Sequence, residues 1–176
     1  MIIGIFGLSG VGKTKFTNNL KIRCPSVMRF SASELIASFD GVINYDDLKG
    51  EVIAENQKKL VASLKHISEI YRGEVVLIEL HNIIETKGGI VFIDGKVLRS
   101  LSLDMVFFIK KEPELIKKNR INDSKKRRII SASEIDKIQR VAISHFLKTY
   151  NVTEDSVISG NNDDEKRICK LTKLSH

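Results

Sequence analysis

The stretch Ile2–Thr14, which reads IIGIFGLSGVGKT, decides the fold of this 176-residue chain. It begins with a short apolar run that ends at a glycine, as a buried parallel strand does. The eight residues after that run meet the spacing GxxxxGK[ST], and Phe16 and Leu20 then follow at helical spacing. A strand, a glycine-rich turn and a helix in this order predict a loop that wraps the phosphates of a nucleotide.

Each residue type in this loop has a chemical reason. Glycines let backbone N–H groups turn toward the phosphates, and the first turn of the helix adds its positive end. The ammonium group of Lys13 reaches the β- and γ-phosphates, and the hydroxyl of Thr14 is placed for Mg²⁺. We therefore expect the triphosphate to contact Gly7, Ser9, Gly10, Val11, Gly12, Lys13, Thr14 and Lys15.

A phosphate loop also needs an acidic residue that organises Mg²⁺, usually at the end of an apolar strand beside the loop. Glu79 follows the continuous apolar run Val75–Ile78, which is the best central-strand signal in the sequence. Asp104 precedes its apolar run, so it would lie at the wrong end of a strand. The sequence therefore predicts a magnesium site formed by Thr14 and Glu79.

The rest of the chain alternates predicted strands and helices. Further strands are predicted at 27–30, 74–80, 105–109 and 157–158, and helices from Ser31 or Ser33 to Gly41 and at 46–71, 112–122, 131–146 and 164–174. Residues 82–100 are predicted to be a looped region with a small hairpin over Ile90–Ile93. This alternation predicts a single α/β domain over residues 1–176, with a parallel five-stranded sheet between two layers of helices.

The formal net charge of +7 favours partners that carry phosphate. Nucleic acid is one such partner and a phosphorylated metabolite is another. Nucleic acid is less favoured, because no aromatic residue for base stacking interrupts the basic run Lys125–Arg128.

Nothing in the sequence resembles a membrane span or a signal peptide, so we expect a cytosolic protein with Cys24 and Cys169 as thiols. No apolar stripe indicates a particular oligomeric state.

Two large classes of phosphate-loop protein fit the sequence poorly. GTPases carry an Asn-Lys-x-Asp tetrapeptide, which is absent, and AAA-type and helicase-type motors are usually larger. A small kinase with a basic lid remains.

The chain resembles the archaeal-type adenylate kinases and, more distantly, the nuclear adenylate kinase-like ATPases. Five segments match in order: the loop at Gly12–Thr14, Arg29–Ser31, the strand end with Glu79, Leu80 and His81, the basic cluster Arg120–Arg128, and Gln139–Ala142. The resemblance implies a mobile lid at about 120–130 that closes over the phosphates. It also implies that Arg120 and Arg140 contact phosphate, and that Lys126 and Arg128 are lid cations, with Lys126 in place of the usual arginine.

The resemblance implies an acceptor region at about 30–72, with Ser31, Lys49 and His81 near the acceptor. Lys49 stands where the family has an arginine for the monophosphate, and Glu79 stands where it usually has aspartate. In similar kinases the loop that contains Gly160 and Asn161 packs on the adenine of ATP.

Three functions follow as hypotheses. The first is a nucleoside monophosphate kinase of adenylate-kinase type that uses ATP and Mg²⁺ to phosphorylate AMP or a related monophosphate. The second is a regulatory or assembly ATPase on the same scaffold with an RNA or protein partner. The third is a kinase for another small metabolite.

Overall fold

The main sheet has five parallel strands, in a computed structural model that describes residues 1–40, 50–86, 88–124 and 127–173. In chain order they are β1 (Ile2–Phe6), β2 (Met28–Ser31), β3 (Val76–Glu79), β6 (Met105–Ile109) and β7 (Val157–Ile158). Their order across the sheet is β2-β3-β1-β6-β7. A separate antiparallel hairpin is formed by β4 (Ile83–Thr86) and β5 (Gly89–Phe92).

Seven helices accompany these strands within the described ranges. They are α1 (Lys13–Arg23), α2 (Ala32–Asp40), α3 (Gly50–Ile70), α4 (Gly95–Ser100), α5 (Pro113–Ile121), α6 (Ala132–Tyr150) and α7 (Asn162–Lys173). None of these helices is both long and apolar enough to cross a lipid bilayer.

The register of the parallel strands brings their carboxyl ends to one edge of the sheet. Glu79 at the end of β3 is level with Ile5 on β1 and with Ser31 on β2. The glycine-rich loop leaves β1 one residue after Phe6. The loop, the β2 end and the β3 end therefore converge where a ligand site is expected in an open α/β sheet.

The core is formed by the continuous apolar runs that predicted the strands. Ile3, Ile5 and Phe6 are fully buried, and the ring of Phe6 packs against Phe146 on α6 with their centroids 5.3 Å apart. Because parallel strands are covered by helices on both faces, near-continuous apolar sequence is what such strands require. The sheet is a rigid base for the loops at its edge.

The predicted fold class is confirmed, and most elements lie where the sequence places them. Ser131 begins α6 with the predicted capping box, since its hydroxyl accepts from the backbone N–H of Glu134. The first part of the predicted helix 46–71 and the residue Leu174 lie outside the described residues. The prediction for 82–100 is partly wrong: the hairpin does not lie over Ile90–Ile93 but pairs Ile83 with Phe92. It is followed by the helix α4, which Asp94 caps.

The prediction that the cysteines are free thiols is wrong in this structure, where Cys24 and Cys169 form a disulfide. Cys24 ends α1, and α7 packs beside that helix, so the two Cα atoms lie 6.2 Å apart. This separation is within the range that a disulfide spans. Because the two cysteines are 145 positions apart in the sequence, only the tertiary structure shows that they meet.

Candidate functional site

The glycine-rich loop has glycines at positions where a side chain would clash with neighbouring residues. Gly10 has φ +82°, and a Cβ atom there would lie 2.7 Å from Cγ of Arg120. At Gly7, with φ +152°, a Cβ atom would lie 2.8 Å from Val11. These positions need glycine for both conformation and space. Val11 itself is buried under the loop, whereas Thr14 and Lys15 are exposed at its mouth.

Lys13 lies inside the loop, with Nζ donating to the carbonyl oxygens of Gly7 at 2.8 Å and Leu8 at 3.0 Å. Burial lowers the pKa of Lys13 from 10.5 to about 7, partly opposed by the negative charge of Glu79. A bound phosphate would favour the ammonium form. The side chain is thus held at the position from which it can meet a β- or γ-phosphate.

Glu79 is the centre of a buried hydrogen-bond network. Its Oε2 accepts from the hydroxyl of Thr14 at 2.7 Å, and its Oε1 accepts from the hydroxyl of Thr17 at 2.6 Å. Arg29 at the end of β2 forms an ion pair with the same Oε1 at 2.9 Å. Thr17 and Arg29 are site residues that sequence reasoning missed. Thr17 could have been found from its spacing, because it lies one helical turn after Thr14.

The residues around Glu79 fit a magnesium ion. Thr14 and Glu79 offer hard oxygen ligands side by side, on a cleft where phosphate oxygens and water would supply the others, which is how Mg²⁺ is usually held at phosphate sites. No group of three or more His, Cys, Asp or Glu side chains that could hold a metal occurs in the described part of the chain. The oxygen ligands of Thr14 and Glu79 therefore suit an ion that binds together with the phosphate groups of the nucleotide.

Arg120 lies against the glycine-rich loop, and its guanidinium forms hydrogen bonds with other groups of the protein. Its Nη2 and Nη1 bond to the two carboxylate oxygens of Glu85 on β4 at 2.6 and 2.8 Å. Its Nε donates to the carbonyl oxygen of Ser9, and Nη1 also donates to that of Arg128. Arg120 is buried and the side chain of Glu85 is only 9% exposed, so this ion pair is largely desolvated. The structure thus places Arg120 beside the phosphate loop, joined to Glu85.

The other predicted lid cations lie in different places. Lys126 lies outside the described residues. The side chain of Arg128 is exposed, while its carbonyl oxygen accepts from Arg120. Arg127, which was not among the predicted site residues, borders the phosphate cleft, the cavity over the glycine-rich loop, and forms an ion pair with Asp123 at 2.9 Å.

Arg140 is not brought to the cleft in this structure. Its side chain is 66% exposed on α6, and it pairs with Asp136 one turn earlier on the same helix. The preceding residue, Gln139, is the buried one, and its amide exchanges hydrogen bonds with the backbone of Lys111. The helix therefore turns Gln139 inward and Arg140 outward.

The residues predicted to bind the acceptor or the adenine do not all lie at the cleft either. Ser31 borders the cleft, where its hydroxyl caps α2 by accepting from the N–H of Glu34. Lys49 lies outside the described residues. Gly160, with φ +63°, packs on Ile109, and the side chain of Asn161 caps α7; neither residue lines the two cavities at the loop.

Two adjoining cavities open at the sheet edge. We call the first the phosphate cleft; it has a volume of about 460 Å³ and runs over the glycine-rich loop, Arg29, Glu79 and Asn119. We call the second the chamber; it has a volume of about 170 Å³ and lies between the loop, α2, α3 and the hairpin. The residues that line both cavities are Ser9, Ala32, Ser33, His81 and Arg127.

His81 borders both cavities. Burial and the nearby positive charges of Lys13 and Arg127 hold the pKa of His81 well below its usual range. The imidazole is therefore neutral at pH 7. A neutral ring at this junction can orient a hydroxyl group without adding charge.

Comparison with known proteins gives a family and a fold. The family described as AAA domain matches residues 6–139. This match covers most of the chain, so the argument from chain length, which concerned AAA-type motors, does not exclude an AAA domain. No curated protein matches the chain.

Solved structures of similar fold include kinases. Shikimate kinase from Aquifex aeolicus vf5 has 20% identity and a TM-score of 0.62, with 99% of this chain and 95% of that chain covered. Shikimate kinase from Acinetobacter baumannii in complex with shikimate has 15% identity and a TM-score of 0.61, with coverage of 98% and 93%. The tunicamycin resistance protein of Deinococcus radiodurans has 14% identity and a TM-score of 0.59, with the same coverage. At these identities the likeness shows the fold.

Proposed function

We propose that this chain, which belongs to the AAA domain family, is an ATP-dependent phosphotransferase for a small acceptor. The observation that carries this proposal is the pair of adjoining cavities. A phosphate cleft alone serves any ATPase, whereas a separate chamber that shares Ser9, His81 and Arg127 with the cleft provides room for a second substrate beside the terminal phosphate. Holding two reactants in contact is the main requirement of phosphoryl transfer.

In this proposal the chain's own residues hold and orient the donor. Backbone N–H groups of the glycine-rich loop and the ammonium group of Lys13 bind the phosphates. Thr14 and Glu79 would hold Mg²⁺, which supplies neutralisation of the negative charge on the transferred group. In this proposal Arg127, which borders the cleft, helps to exclude water from it. The acceptor oxygen bonds to the γ-phosphorus, the bond from that phosphorus to the β–γ bridging oxygen breaks, and ADP leaves with the electron pair.

Transfer to AMP is the specific reaction that the resemblance to adenylate kinases favours. It requires a cation for the acceptor's phosphate. Among the described residues of the cleft, Arg29 is the arginine best suited to bind that phosphate. Its guanidinium already pairs with Glu79 at 2.9 Å and with Glu34 at 3.5 Å. An AMP phosphate would therefore have to compete with two carboxylates for one guanidinium.

The test is a coupled assay of ADP formation with a panel of nucleoside monophosphates and hydroxylated metabolites, with products identified by mass spectrometry. We expect an acceptor-dependent rate and a phosphorylated acceptor. Lys13→Ala should lower kcat by about a hundredfold or more, because one preorganised cation at the transferred group is worth that much. ATP consumption that is independent of every acceptor, with inorganic phosphate as the sole second product, would instead identify an ATPase.

A further inference from the structure

The wall of the chamber is largely apolar. Six aliphatic side chains from four parts of the chain line it: Leu8, Ile36, Leu60, Ile83, Ile84 and Ile93. Apolar walls with a few polar groups are typical of small-molecule sites, where the apolar surface supplies affinity and the polar groups fix orientation. The body of the ligand that fits here is therefore apolar.

Two polar atoms in the wall have no hydrogen-bond partner among the described residues, and one of them belongs to Gln57. Gln57 on α3 is only 8% exposed, and its Oε1 accepts no hydrogen bond from any described residue. Gln57 lies on the buried stripe of the helix between Ile53 and Leu60, where an apolar side chain is expected. A carbonyl oxygen can only accept, so it calls for a ligand that donates an O–H or N–H. The hydroxyl of Ser9, on the side of the cleft, is unpartnered in the same way.

The two charged side chains of the described chamber lining, Glu85 and Arg127, are each paired with an opposite charge. Glu85 is neutralised by Arg120, and Arg127, which is the only lysine or arginine of the described lining, is paired with Asp123. His81 is neutral. A carboxylate or phosphate group placed here would meet Glu85 and would have to displace Asp123 from Arg127. The chamber therefore disfavours an anion.

The size of the chamber sets a further limit. Its volume is about 170 Å³. Pockets for drug-sized ligands start at roughly 300 Å³. The chamber by itself therefore suits a ligand below drug size, such as a six-membered ring with two substituents.

Together these features identify a substrate class. We propose that the chamber binds a compact, uncharged alcohol that has an apolar body and a second hydrogen-bond donor for Gln57, and that this alcohol is the phosphoryl acceptor. The acceptor role rests on the proposed phosphotransfer, whereas the ligand class rests on the chamber itself. In the reaction the hydroxyl oxygen facing the cleft bonds to the γ-phosphorus of ATP. ADP leaves with the electrons of the broken bond, and the hydroxyl proton passes to water.

The experiment uses four probes that differ in one property at a time: cyclohexanol, trans-1,4-cyclohexanediol, trans-4-hydroxycyclohexanecarboxylate and AMP. Binding to the full chain is measured by ligand-observed NMR with and without Mg·ATP, and transfer is followed by mass spectrometry. We expect the diol to bind about tenfold more tightly than cyclohexanol, the effect of one hydrogen bond to a buried acceptor. The diol should also become phosphorylated, and the carboxylate and AMP should bind more weakly.

The variant Gln57→Leu removes the unpartnered oxygen and restores the apolar stripe. It should bind the diol and cyclohexanol within twofold of each other, and an unchanged affinity for cyclohexanol reports an intact chamber. Lys58→Leu is the matched control, because it places the same side chain at the next position, where the native residue is 80% exposed. It should keep the tenfold preference.

The outcomes separate the two proposals. Phosphorylation of AMP or of the carboxylate in preference to the diol would overturn the present inference and leave the phosphotransferase standing. A diol preference that is equal in Gln57→Leu and Lys58→Leu would overturn it as well. If the diol binds with the expected Gln57 dependence and ATP yields no phosphorylated product with any probe, the ligand class holds, and the phosphotransfer and the acceptor role fail.

Discussion

The ion pair between Glu85 and Arg120 should contribute strongly to stability, and Glu85→Gln tests this. Both side chains are largely buried, at 9% and 2% exposure, and they are joined by two short bonds of 2.6 and 2.8 Å. Removing one member of a buried pair costs roughly 3–5 kcal/mol, because the other charge remains desolvated. Arg120 keeps two backbone acceptors, the carbonyl oxygens of Ser9 and Arg128. We therefore expect a loss at the lower end, about 3 kcal/mol.

Urea unfolding at pH 7 measures this loss, and thermal unfolding should show a Tm lower by roughly 6–12 °C for a chain of this size. Glu34→Gln is the matched control, since Glu34 also faces an arginine, Arg29, at 3.5 Å but is 58% exposed. It should change stability by less than about 1 kcal/mol. Replacing both partners, with Glu85→Leu and Arg120→Met, should cost less than Glu85→Gln alone. Equal losses in Glu85→Gln and Glu34→Gln would refute the reasoning.

Two further predictions concern the cations. Because the pKa of Lys13 is about 7 in the free protein and phosphate favours the ammonium form, ATP binding should take up a proton, so that affinity falls as pH rises. Calorimetric titrations in excess Mg²⁺ should show the Kd for ATP rising about fiftyfold, roughly 2.3 kcal/mol, between pH 7 and pH 9. Lys13→Arg should abolish this pH dependence. A Kd that does not change with pH in the native chain would contradict the role given to Lys13. In the coupled assay Arg127→Ala should lower kcat/KM by about a hundredfold, and Arg140→Ala should change it by less than about threefold, because of these two arginines only Arg127 borders the cleft. A larger loss in Arg140→Ala than in Arg127→Ala would show that α6 supplies the phosphate contact.

The sequence is most informative where a residue's role follows from its neighbours in the chain. The loop at Gly7–Thr14, the apolar strands and the capping box at Ser131 all follow from local spacing, and the structure has them at those positions. The position of Glu79 beside Thr14 also follows, because parallel strands align their carboxyl ends. These features depend on chain geometry that is the same in any fold of this class.

The sequence is least informative where a role depends on a distant partner or on the direction of a helix face. Arg120 and Glu85 are 35 residues apart, and nothing local indicates that one neutralises the other. The resemblance pointed to Arg140, but one residue along a helix is a rotation of about 100°, and it is Gln139 that points inward. Gln57 did leave a local signal, since it interrupts an apolar stripe. That signal acquires meaning only when the chamber around it is seen.

Arg120 has a mechanical consequence beyond its charge. One guanidinium ties together the carbonyl oxygen of Ser9 in the glycine-rich loop, Glu85 in the hairpin that walls the chamber, and the carbonyl oxygen of Arg128 at the end of the basic segment. In the proposed phosphotransfer, a displacement of the hairpin when the chamber is filled would therefore be transmitted to the glycine-rich loop. Donor and acceptor affinities should then be thermodynamically linked, each raising or lowering the other by the same factor.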